Sequence, residues 1–341
     1  MKPLSSESAA TLQRLTLLWA LSESGLGGVF HALRSPFTGL VVGGLALLLI
    51  RLLAEAAGGD RRQILKATAI VLLVKFSVSP HSPVNAYLAV AFQGALGALL
   101  LGRPGFGRPA LLAFTFIACA QMALQKLVVT TLLYGFSLWE AIDRVALEAA
   151  RHLPELGLSP GFHASLLLVG IYAGIHLLAG LVLGLFAWRL PDRLRSVEPA
   201  ECLREGGDEA AAGPPRRRPF LRRLAASLPI LVFLGLVWWL LPEGGSGAAL
   251  RVLLRALIMI GLWYVLVSPL LLGLLRRLLR GRASRYAGEI DFVLEQLPGL
   301  RRAAGRLWSA GNGRSAPRRF LRTGAGLMAW ALAGTGEAGR G

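Results

Sequence analysis

Seven side chains that can carry charge or hydrogen-bond stand inside stretches that are otherwise apolar: Lys75, Asn85, Gln93, Gln121, Gln125, Lys126 and His176. Such groups are costly to bury in hydrocarbon, so within an apolar span each is a functional candidate. Gln121 and Gln125 are four residues apart, which puts both on one face of a helix. Lys126 lies sixteen residues beyond Ala110, about 24 Å along a helix rising 1.5 Å per residue. No Asp or Glu shares the outer halves of the spans that hold the two lysines, so the pair favours an anionic or acceptor-rich small molecule, a carboxylate or a phosphate. Plainer roles stand beside this one. Lys75 can snorkel to an interface, the glutamines can bridge helices, and His176 can be a packed, hydrogen-bonded histidine.

Other chemistry finds no support. There is no HExxH, no CxxC and no Walker sequence, so no metal, no cofactor and no ATP hydrolysis by that route is expected. Ser, His and Asp do not converge at any readable spacing, which argues against an enzyme. Cys119 lies in an apolar segment and Cys202 in a polar linker, so no disulfide is expected. The N-terminus carries no pattern of a cleaved signal peptide.

The elements that hold these side chains follow from composition. Hydrophobic residues make up 54% of the 341 residues and charged residues 16%, against roughly 25% charged in a soluble domain. A mean hydropathy of +0.57 excludes a soluble DNA-binding protein, despite a net charge of +18, and excludes disorder. Nucleic acid is not an expected partner, because the basic runs flank apolar segments. The expected fold is an all-α, polytopic membrane helical bundle. A span needs about 20 apolar residues. Five candidates precede residue 190: Thr38–Ala54, Ile64–Val78, Val84–Leu101, Ala110–Leu133 and Phe162–Trp188. Leu228–Leu241 and Ala249–Leu275 bring the number to about seven. Residues 9–33 add either an interfacial amphipathic helix or a sixth element of the first bundle, and 134–152 reads as a surface helix.

The chain thus divides into a membrane domain (1–195), a linker (196–227), a two-span hairpin (228–275) and a basic tail (276–341) whose amphipathic helices suit anionic headgroups or a partner's groove. The stretch 189–227 holds nine arginines and the chain after Leu275 holds thirteen. Both are expected on the cytoplasmic side of a bacterial inner membrane. Gly39/Gly43, Gly170/Gly174 and Gly180/Gly184 are small-residue pairs of the kind that let helices pack closely or dock a partner, and Gly94 and Gly97 extend the pattern.

Two stretches carry a family likeness. Val74–Leu101, with its Pro-rich turn Pro80-His81-Ser82-Pro83, and Leu168–Pro191, a Gly-rich span running into a basic end, resemble the substrate-binding (S) components of energy-coupling factor transporters. Over roughly residues 1–195 the resemblance implies six helices, an outward-facing site for a vitamin or cofactor precursor, and separate ATPase and coupling subunits as partners. It also implies that small residues on the first helix, here nearest to Gly39 and Gly43, meet the coupling subunit. Residues 196–341 have no counterpart in a minimal S component. The expectation is an inner-membrane solute-uptake component that binds a small anionic or polar ligand from outside. The alternative is a non-transporting scaffold or assembly factor that docks a partner through its basic tail.

Overall fold

A computed structural model describes residues 6–26, 38–79, 82–152, 161–197, 231–237, 247–267, 269–271, 273–274, 277, 284–311 and 315–333. Among them there is no strand. Ten helices follow in order: α1 (Ser6–Leu21), α2 (Thr38–Ala56), α3 (Arg61–Val78), α4 (Val84–Leu100), α5 (Arg108–Tyr134), α6 (Ser137–His152), α7 (Ala164–Arg195), α8 (Gly247–Leu262), α9 (Ala287–Ser309) and α10 (Ala316–Leu332). Single π-helical turns extend α1 (Ser22–Leu26) and α8 (Trp263–Val267).

Among the described residues four segments are long and apolar enough to cross a membrane: Gly39–Ala56, Arg108–Tyr134, Ala164–Arg195 and Leu253–Leu271. The count of seven is not reproduced. The helix α3 carries Arg61, Arg62, Lys66 and Lys75, and α4 is an apolar helix of 17 residues. Half of the expected span Leu228–Leu241 lies outside the described residues, and its described part, 231–237, is helical.

Contacts divide the chain into two units. One comprises residues 1–119, 178–214 and 277–341, the other 120–177 and 215–276. The grouping cuts across sequence order, because the basic tail belongs with the N-terminal helices.

In the first unit α1 packs against α2, α3, α9 and α10. It is a packed element of this bundle and is not among the helices long and apolar enough to cross a membrane. Leu12, Leu15, Leu18 and Trp19 are buried, as are Thr11, Thr16, Leu17 and Ala20 between them, so apolar neighbours surround it. Local signals set the ends of the next elements. Gly58 and Gly59 adopt φ of 59° and 78°, a left-handed turn open to glycine at little cost. A Cβ on Gly59 would also collide with the Arg103 backbone. Asp60 then caps α3, accepting the Arg62 N–H at 2.8 Å. The bundle closes where α4 crosses α3 and α2. Gly94 lies against Thr68 and Gly97 against Ile50, with no room for a side chain at either.

The tail helices bury apolar stripes against the same core. Val293, Leu297, Leu300 and Ala303 of α9, and Met328, Ala329 and Ala331 of α10, are buried, and α9 packs on α1 and α3. Arg14 of α1 donates to the carbonyls of Trp330 (3.3 Å) and Ala333, with its guanidinium 5.6 Å from the Trp330 ring centroid. A cation at the last carbonyls of a helix satisfies orphan acceptors and complements the helix dipole. Lys66 of α3 meets Glu289 of α9 at 2.5 Å.

The small-residue pairs divide. Gly180 and Gly184 of α7 meet α5, where a Cβ would come within 3.0 Å of Thr115 O and 2.5 Å of Thr115 Oγ1 respectively. Gly39, Gly170 and Gly174 border open space. In the second unit Gly135 adopts φ 76°, and a Cβ there would come within 3.0 Å of the Arg255 guanidinium. A long face of α7, from Leu166 through Ile171, Leu178 and Val182 to Leu185, is exposed.

Candidate functional site

Where α1 ends, its backbone widens into the π-helical turn Ser22–Leu26, a local insertion often found at functional sites. Serines brace it from within. Ser22 Oγ donates to Trp19 O at 2.9 Å and Ser24 Oγ donates to Ala20 O at 2.5 Å. The turn carries Glu23 inward, and its carboxylate meets Lys75 Nζ, in the last turn of α3, at 2.6 Å. The two side chains are 6% and 4% exposed.

This pair corrects the sequence expectation in one respect. Lys75 has a counter-charge, and Glu23 supplies it. The charge balance therefore gives Lys75 no need of an anionic ligand. The sequence signal for Glu23 was present: an acid flanked by two serines at the end of an apolar helix, in a chain with a lysine stranded at the end of another.

Around the pair the ends of three helices are tied together. Ser79 Oγ donates to Ser24 O at 3.2 Å, and Tyr87 Oη, in the first turn of α4, donates to Ser79 O at 2.7 Å. The Tyr87 ring stacks on Phe76 with centroids 4.3 Å apart, and it lies 5.7 Å from Lys75 Nζ, within cation–π range. Asn85 is half-buried on the same first turn of α4. Further along, Gln93 is 2% exposed, and its Oε1 has no hydrogen-bond partner among the described residues. A buried acceptor left unmatched costs roughly 1–3 kcal/mol, which makes it a natural contact for an incoming donor.

The other expected residues behave differently, and all belong to the second unit. Gln121 Nε2 donates to Gln125 Oε1 at 2.6 Å, so the two amides bond within their own helix. Lys126, expected to face the bundle, is exposed. The adjacent positions Gln125 and Lys126 are 100° apart on a helix, so one can turn inward while the other does not. His176 is 1% exposed, with Nδ1 donating to Tyr172 O at 2.9 Å and its ring tilted 49° against the Tyr172 ring, centroids 4.4 Å apart. That is the packed histidine of the plainer reading.

Three residues expected to stay apart do meet. Asp143 of α6 accepts Ser165 N–H at 2.7 Å and Ser165 Oγ–H at 3.0 Å, and His163 Nδ1 lies 3.2 Å from the same carboxylate. The Ser165 backbone N–H, then its hydroxyl and His163, hold Asp143 below the ordinary carboxylate range against a smaller opposing effect of burial. The serine hydroxyl serves the carboxylate and not the imidazole, so the cluster lacks the nucleophile–base pair of a hydrolase. It caps the first turn of α7 with a side chain from α6. Among the described residues no three His, Cys, Asp or Glu side chains form a metal-ligand group.

Comparison of the chain with family models, with curated proteins and with solved structures found no match.

Proposed function

We propose that this chain is a membrane-embedded solute-uptake component whose polar centre is the Glu23–Lys75 pair, with Tyr87, Asn85 and Gln93 beside it on α4. The observation that carries the reading is the pair itself. Removing two charges from water is expensive, and apolar packing of the same volume is often as stable or more so. Ionisable residues retained among apolar helices typically mark a solute or ion pathway. Among the described residues four helices have spanning length and composition, and one of them, α2, packs against both helices that carry the pair.

A neutralised pair suits a solute that offers donors and acceptors together, such as a zwitterion or an uncharged polar molecule. Its acceptor would approach Lys75 and its donor Glu23 or Gln93 Oε1. The six helices implied by the resemblance to S components correspond to α1, α2, α3, α4, α5 and α7, with α1 as the element the hydropathy pattern left open. On this reading the chain sits in a bacterial inner membrane with its linker and tail in the cytoplasm, and separate ATPase and coupling subunits drive transport.

The scaffold alternative loses ground on one observation. The apolar faces of α9 and α10 are already covered by α1 and α3. What the tail leaves for headgroups or a partner is its arginine-rich side, where Arg301, Arg302, Arg306, Arg318 and Arg322 are exposed.

Uptake of labelled vitamins and cofactor precursors by cells expressing the chain with its partner subunits tests the proposal. At least one solute should accumulate, and Glu23→Gln and Lys75→Met should each abolish accumulation in protein that still reaches the membrane. Undiminished uptake in both variants would refute it.

A further inference from the structure

At the opposite end of α1 and α3 from the Glu23–Lys75 pair, a cavity of about 150 Å³ opens between α1, α3 and α9. Its floor is apolar, formed by Leu12, Ile70, Phe292 and Val293. An apolar cavity of about this volume is large enough to hold a benzene-sized body. Its rim is polar. Gln13 and Gln63 stand there beside the Lys66–Glu289 pair.

That pair differs from Glu23–Lys75 in one decisive way. Its side chains are 33% and 30% exposed, so water and small solutes reach it, and an ion pair so placed contributes only about 0–1 kcal/mol. Lys66 also lies 5.6 Å from the Tyr286 ring centroid, within cation–π range. The lysine is thus a cation above an apolar hollow. Its present partner is a carboxylate that another carboxylate can replace at little cost.

We infer that this cavity is a binding site for a small aryl or short-chain alkyl carboxylate. The apolar body fills the hollow, the carboxylate takes the place of the Glu289 carboxylate on Lys66, and the amides of Gln13 and Gln63 donate to its second oxygen. Glu289 is then an internal competitor. Occupancy of the site frees the first turn of α9 from α3, while the stripe Val293, Leu297 and Leu300 keeps the rest of α9 packed.

Calorimetric titration of the purified full-length protein at pH 7 tests this, with sodium benzoate as the probe and benzamide and acetate as controls. Benzoate should bind at one site, at least tenfold tighter than benzamide, which lacks the charge, and than acetate, which lacks the body. Lys66→Met should weaken benzoate binding at least tenfold. Ile70→Trp, or Ala67→Leu if that variant does not fold, should abolish it by filling the hollow. Glu289→Gln should tighten it about fivefold, because apparent affinity rises when a competing state is removed. A role for Glu289 in holding the site together would give the opposite sign. Equal binding of benzoate and benzamide, weaker binding by Glu289→Gln, or no binding by either the parent protein or Glu289→Gln would each overturn the inference. Glu23→Leu/Lys75→Met should bind benzoate unchanged, so this site and the uptake site stand or fall separately.

Discussion

Glu23 and Lys75 stand 52 positions apart in sequence and meet at 2.6 Å, both almost wholly withdrawn from solvent. Removing one partner leaves the other as an uncompensated buried charge, at a cost of roughly 3–5 kcal/mol. Glu23→Leu and Lys75→Met should each lower the thermal midpoint of the purified protein sharply. The double variant should recover most of the loss, because two apolar side chains replace a matched pair. Single variants as stable as the parent would show that the pair is not formed.

The glycines give a second test with an internal control. A Cβ at position 184 meets Thr115 and Leu112, and one at position 174 meets nothing. Gly184→Ala should destabilise by about 1–3 kcal/mol through overpacking. Gly174→Ala should be neutral, or stabilising by up to about 1 kcal/mol through helix propensity. Thermal unfolding of the two variants side by side decides the matter, and equal effects would contradict the packing described for α5 and α7.

How legible these features were depended on the range of the interaction. Hydropathy located α2, α4 and α5 to within two residues at each end, because each is apolar and bounded by charge or proline, and it located the start of α7, which runs seven residues past the expected Trp188. It could not place α1. Gln13, Arg14, Ser22, Glu23 and Ser24 lower its hydropathy, and the contacts that compensate them come from Lys75 and from the carbonyl groups at the end of α10, more than three hundred residues away for Arg14. The same blindness hid the counter-ion of Lys75. His176 shows the converse, since its partner is the carbonyl one turn earlier, a local contact that the plainer of its two sequence readings allows for. Gln125 and Lys126 were grouped by depth, which says nothing of the direction each faces.

Arg14 fastens α10 to α1 through the Trp330 and Ala333 carbonyls. Arg14→Ala should raise hydrogen exchange across the last turn of α10 about tenfold while leaving the α3 amides protected. Lys should rescue only in part, since it offers a point charge where the guanidinium also stacks on Trp330. Unchanged exchange in α10 would show that the bonds do not hold it.

The cap formed by Asp143 is pH-dependent. Its folded pKa lies below the unfolded one, so its contribution is present above the ordinary carboxylate pKa of about 4 and fades as pH falls through the lower folded value. Exchange at the Ser165 amide, corrected for its intrinsic pH dependence, should accelerate on acidification below about pH 4. In Asp143→Asn that step should vanish. A step of the same size in Asp143→Asn would contradict the assignment.

The most direct test of the account is solute binding by the parent protein and by Glu23→Leu/Lys75→Met, measured as ligand-induced thermal stabilisation across a panel of zwitterionic, neutral polar and anionic small molecules. The account predicts that at least one zwitterionic or neutral polar solute stabilises the parent by several degrees and leaves the folded double variant unmoved. Stabilisation of both proteins to the same extent, or of neither by any member of the panel, would contradict it.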